Sequence, residues 1–289
     1  MKKDYNCQFG LLYKDVNCEH KKARINPEDI SLLHSHDGYE VVLYLGGDVS
    51  IYVEAEGKQM ERGDIALIPP NSFHGLYLTD IPSYERIVLN FREEYLRSFN
   101  DTETDLSLCF KRLPENRLNV IHLNDEQLQD FIRIGDSLAD SIENSAFGGN
   151  ILQRAFFSEF LVKINRVAET APQPYYSSTV PPVVKKIFDF VTENLTSDLT
   201  VEMIALNLHH NSDYLNRSFK KVTGYPLKHY IIAKKLTLAQ QYLRQGYSPY
   251  DACFMSGYNN YSSFSRRFTE AFKISPKAYQ LKCQSAENG

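Results

Sequence analysis

Four side chains in the first quarter of the chain have the types and spacing to do chemistry: His34, His36, Glu40 and His74. Alternate residues of a strand share a face, so His34 and His36 point the same way. With Glu40 and the distant His74 they make a set of three imidazoles and one carboxylate, a donor set that suits a divalent metal ion. The same inward groups can hydrogen-bond a small polar ligand without metal, or simply satisfy one another in the mouth of a barrel. The residues alone leave these three readings open. Tyr44 and Tyr52, together with Tyr39, add aromatic walls that suit a sugar ring, although an aromatic residue in a strand more often serves packing.

A second constellation lies at the other end. Leu215, Arg217 and Phe219 recur in spacing as Phe264, Arg266 and Phe268. Each trio sits in the second helix of a helix, tight turn and helix pattern, over 199–224 and 248–268. A helix of this size fits the DNA major groove, where an exposed Arg reaches base edges or phosphates. Inward Leu215, Phe219 and Val222 leave Asp213, Asn216, Arg217 and Lys220 outward. In the second copy Phe264 and Phe268 point in, leaving Tyr261, Ser262, Ser265 and Arg266 outward. One helix-turn-helix match is a weak signal. Two copies sharing an Arg and a Phe are far more specific, and they make DNA binding the leading expectation over a protein-docking helical module.

The elements that must position these groups follow from local signals. Thr200 and Asn211 cap the two helices of the first copy, with His209 and His210 in the turn and Gly224 closing it. In the second copy Ala252, Cys253 and Phe254 pack the first helix, Gly257 permits the turn and Asn260 caps. A long helix, Leu227–Arg244, joins the copies, and Pro182 suits the first turn of a preceding helix.

Toward the N-terminus, short strands are expected at 39–45, 50–56, 64–68 and 84–91, broken by Gly46, Gly47, Gly57, Pro69 and Pro70. Their spacing suggests a sandwich or barrel. Leu128, Phe131, Ile132, Leu138 and Ile142 then form one helical stripe. Ile151, Leu152, Phe156, Phe160, Leu161 and Ile164 form a second. An antiparallel helix pair behind a small sheet is expected, with the second stripe doubling as a dimer surface. Residues 171–182 are Pro- and Ser-rich and read as a linker. The expected organisation is α+β: an effector-binding and dimerisation domain over 1–170, the linker, and an all-α domain with two helix-turn-helix units over 183–289.

Charge follows the same division. Residues 183–289 hold 14 Lys and Arg against 8 Asp and Glu, a net of +6, whereas the whole chain is at −4. That sign change is the electrostatic footprint of a nucleic-acid binder. No run approaches the roughly 20 apolar residues of a membrane span, and no apolar stretch follows Lys2 and Lys3 to make a signal peptide. Cys7, Cys18, Cys109, Cys253 and Cys283 are scattered, which fits a reducing cytosol and a cytoplasmic protein.

With these residues in view, positions 180–281 resemble the DNA-binding domain of AraC/XylS-type bacterial transcription regulators. The resemblance is carried by Leu199, Thr200, Ile204, Ala205, Tyr214, Leu215, Phe219, Lys220, Lys221, Thr223, Gly224, Tyr230, Ala239, Gly257, Tyr258, Phe264, Phe268, Ser275, Pro276 and Tyr279. It implies a seven-helix domain that binds promoter DNA, with Asp213, Asn216, Arg217, Tyr261, Ser262 and Arg266 at base-contacting positions. Lys235 departs from the usual Arg, Met255 and Ser256 from a usual apolar pair, and Phe272, Lys273 and Ile274 stand where a Gly is common. The spacing of the His and Glu residues resembles both motifs of the cupin barrel, whose metal-binding members use these four positions. Asn71 replaces a usual Gly there, and Leu78 a terminal Asn. Together the resemblances imply a homodimeric regulator whose His and Glu cluster senses a small polar effector, by analogy a sugar, with no metal and no cofactor, and which acts with RNA polymerase. The rival is a metal-dependent cupin enzyme with a helical interaction module.

Overall fold

The computed structural model describes residues 9–10, 14–24, 33–78, 83–113, 117–144, 146–172 and 180–287. The described residues fold into two compact units, one within 10–31 and 35–180, the other within 32–34 and 181–289 together with residue 9. Of the expected linker, residues 173–179 lie outside the described residues. No helix among the described residues is long and apolar enough to cross a membrane.

The N-terminal unit is a sandwich with helices on one side. Its strands are β1 (Phe9–Gly10), β2 (Val16–Arg24), β3 (Ser35–His36), β4 (Tyr39–Gly46), β5 (Val49–Val53), β6 (Glu56–Gln59), β7 (Asp64–Ile68), β8 (His74–Leu78), β9 (Ser83–Phe91) and β10 (Asn119–His122). A five-stranded sheet runs in the order β10-β7-β4-β9-β2, and a three-stranded sheet in the order β6-β5-β8. Neighbouring strands in both are antiparallel.

Strand alternation sorts β4 into two cores. Val42 and Tyr44 join Val49, Ile51, Val53, Ala66, Ile68 and Tyr84 between the sheets. Val41, Leu43 and Leu45 face the other way, onto α2 (Asp125–Glu143) and α3 (Gly149–Thr170), where Phe131, Leu138, Phe157 and Phe160 cover them. A short helix, α1 (Glu93–Arg97), follows β9. Asn124 starts α2 with a reciprocal cap: its side chain accepts from Gln127 N–H, and the Gln127 side chain accepts from Asn124 N–H. Gly135 lets this helix approach β9 closely, because a Cβ there would lie 3.0 Å from Ile87 Cδ1.

Several expectations need correction. The strand expected over 50–56 ends at Val53, where Glu54 (φ 48°) begins a two-residue turn, and Gly57 continues into β6 opposite Tyr52. On α3 the buried face runs through Phe157, Phe160, Leu161 and Ile164. Ile151 and Leu152, 67% and 51% exposed, do not join it. At about 100° per residue they stand about 120° and 140° around the helix from Phe157.

Seven helices build the C-terminal unit: α4 (Pro182–Asn194), α5 (Val201–Asn207), α6 (Ser212–Thr223), α7 (Leu227–Arg244), α8 (Pro249–Met255), α9 (Tyr261–Phe272) and α10 (Pro276–Glu287). Ile187, Phe188, Ile204, Leu215, Phe219, Tyr230, Ala239, Cys253, Phe264 and Phe268 are all buried. The caps are those the sequence prescribes. Thr200 accepts from Met203 N–H, Asn211 from Asp213 N–H and Asn260 from Ser263 N–H, while Gly224 (φ 78°) closes α6. Lys273 (φ 59°) closes α9 in the left-handed region, near where a Gly is common in similar sequences. Phe254 is the exception: it is 41% exposed and lies against Tyr250 on the outer side of α8, so it does not pack that helix inward.

Candidate effector and DNA-binding sites

Glu40, on β4, shares the inner face of the large sheet with Val42 and Tyr44. His74, at the start of β8, pairs with Val53 and so faces inward from the small sheet. His36 ends β3. Its Nδ1–H donates to Gly38 O (2.9 Å), and its Nε2 lies 2.8 Å from Glu40 Oε2. His74 repeats the arrangement: Nδ1–H donates to Ser72 O (2.9 Å), and Nε2 stands 3.5 Å from the same carboxylate oxygen. The two imidazoles meet edge to face, 5.2 Å apart. Adding His34, the donor atoms of all four residues lie within 4.8 Å of one another.

Asn71 fixes the geometry of this corner. It sits at φ 64° between β7 and β8, a left-handed position that Asn tolerates better than most residues. Its N–H donates to His36 O at 2.7 Å, tying the loop before His74 to β3. This accounts for Asn where the cupin motif usually has Gly.

The electrostatics follow from the packing. Burial by itself raises the Glu40 carboxyl, but hydrogen bonds and charge from His36 and His74 hold it well below the usual carboxylate range. Burial by itself lowers His36, but the hydrogen bond to Glu40 and the Glu40 charge reverse this and raise it. The corner is built to hold a carboxylate anion against positive charge.

The expected aromatic walls divide: Tyr44 shares the inner face with Glu40, whereas Tyr52 and Tyr39 do not. Tyr44 is buried, and its hydroxyl donates to Gly47 O. Tyr52 is buried on the face of β5 opposite Ile51 and Val53, with its ring so close to Gly75 that a Cβ there would meet Tyr52 Oη at 2.5 Å. Tyr39 stacks on Phe91 under the helices. Alternation made all three look available, but it does not say which face of which sheet encloses the cleft. Register supplies what was missed. Asn90 pairs with Glu40 and Arg86 with Tyr44, so both half-buried polar side chains share the inner face. Arg86 lies over the Tyr84 ring, 4.4 Å from its centre.

In the C-terminal unit the two turns match in detail. His210 N–H donates to Ala205 O (2.9 Å), and Tyr258 N–H to Cys253 O (3.1 Å). The residue before each is left-handed: His209 at φ 55° and Gly257 at φ 82°. Beyond the turns, Asp213, Arg217 and Lys220 are exposed on α6, as are Tyr261, Ser262 and Arg266 on α9, with Ser265 half-buried. Neither Arg217 nor Arg266 is held in an ion pair among the described residues. Asn216 differs from the expectation of a base-contacting residue. It is half-buried, and its Oδ1 accepts from Leu227 N–H at 2.9 Å, capping α7. Pro226 at the start of α7 offers no side-chain cap of its own, and Asn216 fills that place.

Comparison with known proteins agrees with this division. A family described as an AraC-like ligand binding domain matches residues 24–159, and one described as a helix-turn-helix domain matches residues 204–282. The transposon Tn10 TetD protein of Escherichia coli is 32% identical over 99 residues, 34% of this chain and 72% of its own length. The multiple antibiotic resistance protein MarA of Escherichia coli is 27% identical over 108 residues, 36% of this chain and 84% of its own length. Among solved structures, apo ToxT from Vibrio cholerae covers 92% of this chain and 96% of its own, at 16% identity and a TM-score of 0.38. The chain is therefore a member of the AraC/XylS family, a DNA-binding transcription regulator, not an enzyme, that carries an AraC-like ligand-binding domain ahead of its helix-turn-helix domain.

Proposed function

We propose that the protein is a cytoplasmic, effector-responsive regulator that reads promoter DNA as a homodimer. In this reading α6 and α9 enter successive major grooves about 34 Å apart. Arg217 and Arg266 contact base edges, Asp213 accepts from a cytosine amino group, and Lys220, Tyr261, Ser262 and Ser265 contact bases or phosphates around them. Asn216 acts indirectly, by capping α7. RNA polymerase is the further partner. The observation that carries the reading is the duplicated turn followed in each copy by an exposed Arg, outside any ion pair among the described residues, six residues beyond an Asn cap.

The effector is a small polar molecule held on the inner face at His34, His36, Glu40 and His74, with Asn90 and Arg86 as further polar contacts. A sugar follows only from analogy with the family, and the turning of Tyr52 away from the inner face weakens that choice. Effector acts by binding one arrangement of the protein better than another. The homodimer uses the start of α3, where Ile151 and Leu152, with Phe147 just before the helix, leave apolar surface exposed.

Selection of bound fragments from random DNA, with and without effector candidates, tests the reading. It is supported by an enriched motif of two elements spaced by one helical turn. Retention of every sequence alike contradicts it. Thermal-shift screening of sugars and small acids identifies the effector, because a ligand of the native state raises its melting temperature.

A further inference from the structure

We propose that the effector is a small organic acid: Arg86 takes its carboxylate at one end, Asn90 and Glu40 take a hydrogen-bond donor at the other, and an apolar body lies between. This rests on reading the N-terminal unit as the effector domain, and it names the chemical class that its inner face accepts.

Register lays the site out. On β9, Arg86, Val88 and Asn90 follow one another along the inner face of the large sheet. Lys21 and Glu19 of β2 stand beside Arg86 and Val88, and Glu40 of β4 stands beside Asn90. The same face is sealed at Val42 and Tyr44 on β4, in the core between the sheets. On β9 it opens, because Arg86, Val88 and Asn90 are only half-buried.

The cation at one end is held ready and is not neutralised. The Arg86 guanidinium lies over the Tyr84 ring, 4.4 Å from its centre, and is outside any ion pair among the described residues. The carboxylate nearest to it in the register, Glu19, is already paired with Lys21. A guanidinium over a ring keeps N–H groups at its edge, and that planar fork matches a carboxylate in two parallel hydrogen bonds. A neutral ligand would leave this charge half-buried and unanswered.

The other end asks for a donor. Asn90 Oδ1 is enclosed and accepts no hydrogen bond among the described residues, so nothing fixes its amide, which can turn toward a ligand. Beside it, hydrogen bonds and charge from His36 and His74 keep the Glu40 carboxyl well below the usual carboxylate range. An ionised Glu40 repels a second carboxylate here and accepts from a hydroxyl or amine. The ligand therefore has one orientation, acid toward Arg86. Four residues separate Arg86 from Asn90, about 13 Å of strand with Val88 in the middle. That length and apolar centre suit an arylalkanoic or medium-chain acid, not a two- or three-carbon one.

The test uses the full chain and a series of 4-hydroxyphenyl acids, from the benzoate to the pentanoate. Each is paired with its methyl ester and with the analogue lacking the hydroxyl, and neutral pentoses and hexoses complete the set. Binding is read by calorimetry and thermal shift. At least one acid should bind saturably, with a Kd below about 1 mM. Its ester and its dehydroxy analogue should each bind at least about 10-fold more weakly. Arg86→Gln should weaken the acid about 10- to 100-fold, to the level of its ester, with an unchanged far-UV circular dichroism spectrum. Asn90→Ala should erase the preference for the hydroxyl and keep the preference for acid over ester. The proposal is overturned if no acid binds wild type more tightly than its ester, a comparison that needs no variant to fold. It is equally overturned if folded Arg86→Gln binds the acid as tightly as wild type. DNA affinity is measured with and without each compound. A neutral sugar that binds and shifts DNA affinity while the acids do neither removes this inference and keeps the effector-responsive reading. An acid that binds through Arg86 without shifting DNA affinity removes that reading and leaves the acid site standing.

Discussion

The buried ammonium of Lys235 donates to the carbonyl of Gly257 at 2.7 Å, in the turn of the second helix-turn-helix. The same Nζ donates to Ser197 O at 2.8 Å, in the segment leading into the first. One lysine in the middle of α7 thus fastens a backbone carbonyl belonging to each reading unit. Burial lowers its amine pKa, as expected for a cation held mainly by carbonyl dipoles.

Replacing that lysine tests the fastening. Lys235→Met leaves both carbonyls without their charged donor and should destabilise the C-terminal unit by about 2–3 kcal/mol, read from denaturant melts. It should weaken DNA carrying two sites more than DNA carrying one. Lys235→Arg, the residue usual in similar sequences, should retain most of the stability.

The left-handed turn residues predict opposite outcomes. His209→Gly and Lys273→Gly remove a Cβ from φ 55° and φ 59° and should each stabilise the protein by roughly 0.5–1 kcal/mol. Gly257→Ala places a Cβ 2.8 Å from Leu195 O and Thr196 Cα at φ 82°, and should destabilise by more than about 2 kcal/mol. Thermal melts of the three variants decide, and a stabilised Gly257→Ala would contradict the turn geometry.

Asn216 separates capping from reading. Asn216→Ala removes the acceptor for Leu227 N–H and should lower stability by about 1 kcal/mol. The preferred DNA sequence should stay the same. A change in preference at one base pair, found by repeating the fragment selection, would return Asn216 to the bases.

Burial raises the thiols of Cys18 and Cys109 to about 12 and that of Cys253 to about 11, from an ordinary 9.0. Between the unfolded and folded values the unfolded chain has released protons that the native chain keeps. Stability should therefore fall as pH rises above about 9, and iodoacetamide at pH 8 should modify the half-exposed Cys283 well before these three. Equal alkylation rates for Cys18 and Cys283 in native protein would contradict the burial.

Much of this was legible in residues alone. α7 runs over the expected Leu227–Arg244, and Thr200, Asn211 and Asn260 cap where their types demand, because caps and helical periodicity are local properties. The His and Glu cluster was legible from spacing. Strands β2, β8 and β10 were not foreseen. β2 carries Glu19, His20, Lys21 and Lys22 at the edge of its sheet, where charge discourages further pairing and hides the strand from a hydrophobic pattern. Tyr52, Arg86 and Asn90 were misjudged or missed for a different reason. Their roles depend on register between strands distant in sequence, and alternation within one strand gives two faces without saying which encloses the cleft. Asn216 looked like a reading residue because its helix phase is outward enough, yet the start of α7 folds back to use it.

The central claim is that Arg217 and Arg266 read bases from two equivalent helices. Its most direct measurement is affinity for the selected DNA motif and for all single-base-pair variants of it, for wild type, Arg217→Ala and Arg266→Ala. Each substitution should cost about 1–3 kcal/mol on the selected motif and erase discrimination at one base pair, with the two affected positions about one helical turn apart. Unchanged affinity in either variant, or loss spread equally over every sequence, would contradict base reading by that arginine.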